Sequence, residues 1–341
     1  MPSLDRPKLL FRMLRGRAMN RRAFLTVATA ALGFGVSTSA LAQSMSSKPI
    51  RMVVVVPPGG APDAYARFIS DHMAKALGRI VIVDYKPGAN GNLAYQSVAN
   101  APADGELILV GTQSTSEINP SSFSEPGWSL NDFNPLIRGV TAPLVLVAHP
   151  SVPARTLPEL VAWVRKNPGK LGYSSYTAGT PSHFLGVLLN ERFGLDLVHV
   201  PARNAGAQAT DLIAGHVLLG FGQMQATLPH ISAGKLNAIA VTSAARSRFL
   251  PDIPSFKELG HDEFTAAIWF GLLIRAGTPA SVATSLLNAA KAAHADPDVR
   301  AKLETQGFDV SGQSGSEFEA DIRAQIERWS RLVKSAGFKI D

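Results

Sequence analysis

From residue 50 onward, short unbroken apolar runs alternate with stretches whose apolar residues recur at three-and-four spacing. Ile50 to Val56 is such a run, the form of a strand buried on both faces, and it breaks at Pro57-Pro58-Gly59-Gly60. Tyr65, Phe68, Ile69, His72, Met73 and Ala76 then share one helical face, with Asp63 placed to cap the helix and Gly78 to end it. The same reading predicts strands at 80–83, 107–111, 144–148, 171–175, 197–200, 217–221 and 238–242. Helices are predicted at 93–99, 158–166, 183–193, 205–214 and 226–233. Strands alternating with helices imply an α/β fold with mostly parallel sheets flanked by helices.

The last third breaks the alternation. One more apolar strand, 267–274, is followed only by helical patterns at 280–295, 297–306 and 316–336. Helices without strands must cover something already built. The economical arrangement is two lobes: residues 43–148 with 268–341 form the first, and 149–267 the second. The chain then leaves lobe one near Ala148–Pro150 and returns along 267–274, which makes these two crossovers the expected hinges and leaves a cleft between the lobes. In α/β sheets ligands sit beyond the carboxyl ends of strands, so the strand-to-helix loops carry the functional interest.

Charge distribution narrows the class of partner. The 341 residues carry a formal +7, but Arg6, Lys8, Arg12, Arg15, Arg17, Arg21 and Arg22 stand against Asp5 alone within residues 1–42. Almost all the excess charge is therefore N-terminal, and nothing later interleaves basic and aromatic residues as a nucleic-acid surface does. Those basic residues precede an apolar run from Phe24 to Val36 and a small-x-small pattern, Ala40-Leu41-Ala42, before Gln43. Residues 1–42 read as an export signal, with the mature protein in the periplasm. The run is shorter than the roughly 20 residues needed to span a bilayer. Arg21-Arg22-Ala23-Phe24-Leu25 resembles a twin-arginine signal, although Asn20 and Thr26 depart from its usual flanks and general secretion stays open; Met19 is an alternative start. The chain has no cysteine, which removes thiol nucleophiles, thiolate metal sites and lipoprotein attachment.

The eight histidines show neither a His-Glu-x-x-His motif nor clustering with carboxylates at ligand spacing, so no metal and no cofactor are expected. Ser182-His183 invites a hydrolase reading, but no Gly-x-Ser-x-Gly elbow exists and adjacent residues rarely form a nucleophile–base pair; Ser182 is better read as a helix cap. Gly88-Ala89-Asn90-Gly91-Asn92 reads as a turn. What recurs is a Gly-containing loop between strand and helix, at 57–63, 177–182 and 202–206. Each leaves helix N-terminal amides uncovered, an anion site that needs no arginine. Tight turns alone explain any one of them; three, from both lobes, point to a carboxylate clamped across a cleft. The candidate ligand residues are Pro58, Gly59, Gly60 and Asp63; Thr177, Ala178, Gly179, Thr180, Ser182 and His183; and Asn204, Ala205 and Gly206. Beyond other strand ends, Thr112, Gln113 and Gln223, with Gln225, are candidates for reading the rest of the ligand.

The motifs also resemble a known family over nearly all of residues 49–341. Carrying the resemblance are Pro57-Pro58-Gly59-Gly60-x-x-Asp63, Lys86-Pro87-Gly88-Ala89-Asn90-Gly91-Asn92, Asp104-Gly105, Ala178-Gly179-Thr180-x-Ser182-His183 and Val198-His199-Val200-Pro201. They continue in order with Asp211-Leu212-Ile213-x-Gly215, Pro229-His230-Ile231-x-x-Gly234, Leu250-Pro251-Asp252-Ile253-Pro254, Trp269-x-Gly271-Leu272 and Ala276-Gly277-Thr278-Pro279. In this order they are similar to the Bug-type periplasmic solute-binding receptors of tripartite tricarboxylate transport systems. The resemblance implies a two-lobed Venus-flytrap fold in which backbone amides and water grip a ligand carboxylate. It implies as partners a small organic carboxylate and membrane transporter subunits, with no nucleic acid, and a receptor acting as a monomer without enzymatic activity. Val55-Val56, Thr177, Val187, Ala202 and Asn204 depart from the family's usual residues, three of them where side chains reach a ligand. The alternatives are a ligand-sensing subunit that signals without transport and a hydrolase built on Ser182 and His183.

Overall fold

In the computed structural model, which describes residues 48–169 and 171–340, β1 (Ile50–Val54) lies between β2 (Val81–Tyr85) and β3 (Leu107–Thr112), all parallel. The export signal expected at residues 1–42 lies outside the described residues. α1 (Ala61–Leu77) and α2 (Asn92–Ala99) make the connections, and Gly78, at φ 60°, ends α1 as its position predicts. Asp63 is not the cap. Gly60 holds the cap position, because the helix starts at Ala61, with Pro62 in its first turn, three residues earlier than a cap at Asp63 would allow.

The largest difference from expectation lies in β4 (Phe133–Ala148), anticipated only over its last five residues. Pro135, Gly139 and Pro143 interrupt the apolar pattern, and its pairing with β9 (Ala267–Arg275) is irregular after Pro135 and after Arg138. β4 runs antiparallel to β9 as far as Pro143, opposite Ala267, and from Leu144 onward pairs instead with β7 (Leu219–Gln223) and β8 (Asn237–Val241). The strand order is β2-β1-β3-β9-β4-β7-β5-β6, where β5 is Gly172–Ser175 and β6 Val198–Pro201. The α/β fold class stands, with one refinement. Parallel pairing holds for β2-β1-β3 and β7-β5-β6, whereas β9 and β4 join the two sets through antiparallel ladders.

α3 (Leu157–Arg165) follows β4, and α4 (Pro181–Phe193), α5 (Ala205–Ile213) and α6 (Met224–Ser232) follow β5, β6 and β7. The closing helices α7 (Ala280–Ala295), α8 (Pro297–Thr305) and α9 (Gly315–Ser335) return to cover the first, with the two-residue β10 (Asp309–Val310) beside β4. The packing is close enough to need one bare backbone position. A Cβ at Gly139 would strike the Tyr65 hydroxyl, which is bonded at 3.1 Å to His294 Nε2 and joins α1 to α7 beneath β4. Among the described residues no helix is long and apolar enough to cross a membrane.

Candidate ligand-binding site

The loop after β1 is built from its own carboxylate. Gly59 turns the chain at φ 94°, and Asp63 in the first turn of α1 reaches back to accept its amide at 2.8 Å. The other carboxylate oxygen accepts from Arg67 Nε and the Tyr85 hydroxyl, both at 2.7 Å. Burial pushes the Asp63 carboxyl up, but the Gly59 amide, Tyr85 and Arg67 together hold it below its ordinary range. Asp63 therefore shapes the loop as an anion, leaving Pro58 and Gly59 exposed and the start of α1 without a side-chain cap.

The loop after β5 has the same outline and different supports. Gly179, at φ 74°, donates its amide to His183 Nδ1 at 3.3 Å, and the Thr180 hydroxyl turns back to the Thr177 carbonyl at 2.7 Å instead of capping α4. The Gly179 amide is thus already engaged, and Ala178 offers its carbonyl to Asn90 Nδ2 at 3.1 Å. His183 stacks on His199 with centroids 3.8 Å apart, and His199 Nε2 meets Ser175 Oγ at 2.8 Å. Burial pushes His183 down to about 3, with His199 adding to the effect, and pushes His199 down to about 4, so both rings are neutral at physiological pH. Ser182 is not a cap either. It is the second residue of α4, and its hydroxyl donates to the Phe221 carbonyl at 2.5 Å. Serine hydroxyl and imidazole are committed to different partners, and no nucleophile–base pair forms.

Tyr176, at the end of β5, was not singled out in the sequence and is central here. It is 6% exposed, and among the described residues its hydroxyl has no hydrogen-bond partner. Burial pushes it up to about 12, although the Ser114, Gln223 and Thr180 side chains and the Ser182 amide surround it. The loop after β5, Gln223 at the end of β7 and the segment after β3 therefore converge on one polar atom. That last segment is a π-helical turn, Ser114–Ile118, with no counterpart in the predicted elements. Thr112 Oγ lies 3.0 Å from Thr115 Oγ, and Thr115 donates to the Asn90 carbonyl at 2.9 Å. The Gly88–Asn92 turn thus links both sides of the site. Gln113, expected to face the ligand, is buried, with Nε2 held by Glu117 at 2.6 Å and Oε1 unpartnered.

Other candidates are used locally. Asn204 caps α5 by accepting the Ala207 amide at 2.9 Å, leaving Ala205 and Gly206 at the helix start. Neither Asn204–Gly206 nor residues 57–63 share a hydrogen bond with the Tyr176 cluster among the described residues. The fold also brings His72 to Asp296 and Asp298, but Asp296 caps α8 and Asp298 pairs with Lys302 at 2.7 Å.

The chain matches the sequence profile of TctC, the tripartite tricarboxylate transporter family receptor, over residues 65–338. It belongs to that family. The receptor is 36% identical, over 84% of its own chain and 86% of the relative's, to the UPF0065 protein in the tcbD-tcbE intergenic region of Pseudomonas sp. (strain P51). Its fold matches that of the periplasmic binding protein BugD with a TM-score of 0.77 at 32% identity, covering 86% of this chain and 99% of that one. It also matches MatC from Rhodopseudomonas palustris with bound malate, TM-score 0.76 at 28% identity, covering 84% and 99%. The two-lobed fold of the periplasmic binding proteins follows, as does a solute-binding role; the receptor is not an enzyme.

Proposed function

We propose that this receptor captures a small organic carboxylate in the periplasm and presents it, as a monomer, to membrane subunits of a tripartite tricarboxylate-type transporter. The unpartnered Tyr176 hydroxyl carries this reading. A buried polar group without a partner is costly, and it is retained where a ligand supplies the missing bond. Here the hydroxyl lies beside the Ser182 amide at the start of α4, a helix of 13 residues whose positive end has no side-chain cap. Two donors and a helix dipole suit a carboxylate oxygen. The unpartnered Gln113 Oε1 suits a hydroxyl on the same ligand, as malate carries.

The lobes of this reading are residues 43–148 with 268–341, and 149–267. The exchange of partners within β4 at Pro143 and Leu144 gives the flexure a place just inside the first bound. Ligand touching Ser114 on one side and the 177–182 loop and Gln223 on the other is held fully only when the lobes meet, so binding drives closure.

A thermal-shift screen of organic acids tests the proposal. Malate or another dicarboxylate at ~100 times its Kd adds about 2.7 kcal/mol, raising Tm by about 5 °C. Tyr176→Phe, which removes only the hydroxyl, weakens that acid about tenfold. A receptor that no organic acid stabilises, or whose Tyr176→Phe variant binds its acid unchanged, overturns the reading.

A further inference from the structure

Glu117 is a carboxylate 1% exposed, on the π-turn itself. One oxygen accepts from Trp269 Nε1 at 2.6 Å; the other accepts from Gln113 Nε2 at 2.6 Å and from Trp329 Nε1 at 3.1 Å. Trp269 belongs to β9 and Trp329 to α9, so three donors from three parts of the chain meet on one residue. Among the described residues no charged side chain is hydrogen-bonded to it. Arg138 of β4 and Arg328 of α9 face it as cations, Asp321 of α9, paired with Arg138, as an anion, and the buried Tyr95 phenol of α2 as a neutral group.

A π-turn holds one residue more than an α-turn and persists where its surroundings determine it. The consequence here is directional. Ser114, at the start of the turn, is placed at the Tyr176 hydroxyl; Thr115 holds the Asn90 carbonyl; and Asn90 in turn holds Ala178. Gln113, whose unpartnered oxygen the reading above gives to the ligand, is oriented by Glu117 directly. Resting on the carboxylate-receptor reading above, we propose that Glu117 is a positioning residue of the ligand site, anchoring the π-turn to Trp269 and Trp329 so that Gln113 and Ser114 face the ligand, while touching no ligand atom.

Chemistry makes this anchor hard to replace. The three partners are all N–H donors, so an amide at position 117 sets its own NH2 against at least one of them. Burial pushes the Glu117 carboxyl up to about 7, against the pull of Trp269, Gln113 and Arg138. Protonation has the same effect as the amide, because it puts a donor where an acceptor is needed. Affinity should therefore fall as pH drops through about 7.

The test compares wild type with Glu117→Gln and, in case that variant does not fold, with Trp329→Phe, which keeps the carboxylate and removes one donor. Hydrogen exchange without ligand is expected to quicken across residues 113–118 and 88–91 in both. The indole N–H signals of Trp269 and Trp329 should shift together between pH 6 and 8 in wild type and lose that shift in Glu117→Gln. With malate as probe, Glu117→Gln should bind about tenfold more weakly at pH 8, with no further loss toward pH 6. Unchanged exchange in both variants overturns the anchor, and so does unchanged malate affinity in Glu117→Gln. If wild type binds no malate, the carboxylate reading is what loses support, and the exchange and indole measurements still decide the role of Glu117.

Discussion

The loops after β1 and β5 have the same design and opposite supports. Each turns on a glycine at positive φ and opens a helix with proline in its first turn and no side-chain cap. The first is braced by an ionised carboxylate, Asp63, with an exposed arginine beside it. The second is braced by neutral groups, the stacked imidazoles of His183 and His199 with Ser175, and is crowded by Asn90 and the C-terminal residues Phe338 and Ile340. A braced surface turn tolerates added bulk and some loss of charge; a turn packed on both sides tolerates neither.

The largest difference should come from the glycines. A Cβ at Gly179 lies 3.1 Å from Asn90 Nδ2 and Phe338 and 3.2 Å from Ile340, on a backbone at φ 74°, whereas a Cβ at Gly59 meets nothing within 4 Å. Gly179→Val therefore combines strain with overpacking, and should cost about 3 kcal/mol of stability and about 100-fold in dicarboxylate affinity. Gly59→Val carries the backbone strain alone, about 1–2 kcal/mol. Denaturant unfolding and calorimetric titration of the two variants settle the order, and a costlier Gly59→Val would reverse the comparison.

Acid separates the loops next. His183 and His199 are held neutral when folded and titrate near pH 6.5 when unfolded. Below pH 6.5 the unfolded chain binds more protons, so the stabilising difference is present above that pH and is lost as pH falls toward the folded values of about 4 and about 3. Asp63 has the same sign in a lower window: depressed when folded, it contributes above the ordinary aspartate value and loses its effect only below that range. Of the two loops only the second should thus lose stability between pH 6.5 and 4.5, by about 1–2 kcal/mol for His183 at pH 5; the buried His294 adds to the loss, and Glu117, raised to about 7 when folded, takes up its proton in the same window and opposes it. His199→Phe, which keeps a ring against Tyr173 and His183, should flatten part of that slope in urea unfolding at several pH values. A slope unchanged by the substitution would place the titration elsewhere.

The sequence showed the first loop more clearly than the second, and the reason is distance along the chain. Asp63 is bonded four residues back and four residues forward, so its loop was readable locally, even though the cap falls at Gly60 and not at Asp63 as its position suggested. The alternation of strands and helices was equally local, carried by runs such as Ile50–Val54 and by Gly78 at the end of α1. β4 was mostly hidden, because its prolines and glycine break the run that reveals a strand. The second loop depends on Asn90, in a segment that reads only as a turn, and on a polar stretch from Thr112 to Glu117 that looks like solvated loop. Nothing near Glu117 announces its burial, since its indole partners lie 152 and 212 residues away. Tyr176 was visible as the residue between a predicted strand and a candidate loop, and an aromatic hydroxyl in that position is the signal that was available.

The smallest expected effect comes from Arg67, and it bears on whether the first loop needs its cation at all. Arg67 Nε bonds Asp63 at 2.7 Å, but its side chain is 55% exposed and sits one helical turn along α1. Exposed pairs at this spacing contribute little, because water solvates the arginine nearly as well when the pair is apart. Asp63 keeps the Gly59 amide and the Tyr85 hydroxyl when Arg67 is removed, and those two bonds, not the ion pair, fix the turn. Arg67→Ala should therefore change dicarboxylate affinity by less than about twofold, at both low and high salt. A larger loss that grew as salt was lowered would show that the exposed cation helps to hold the anion. The contrast between a charged and a neutral brace would then become a contrast in how the two loops bind.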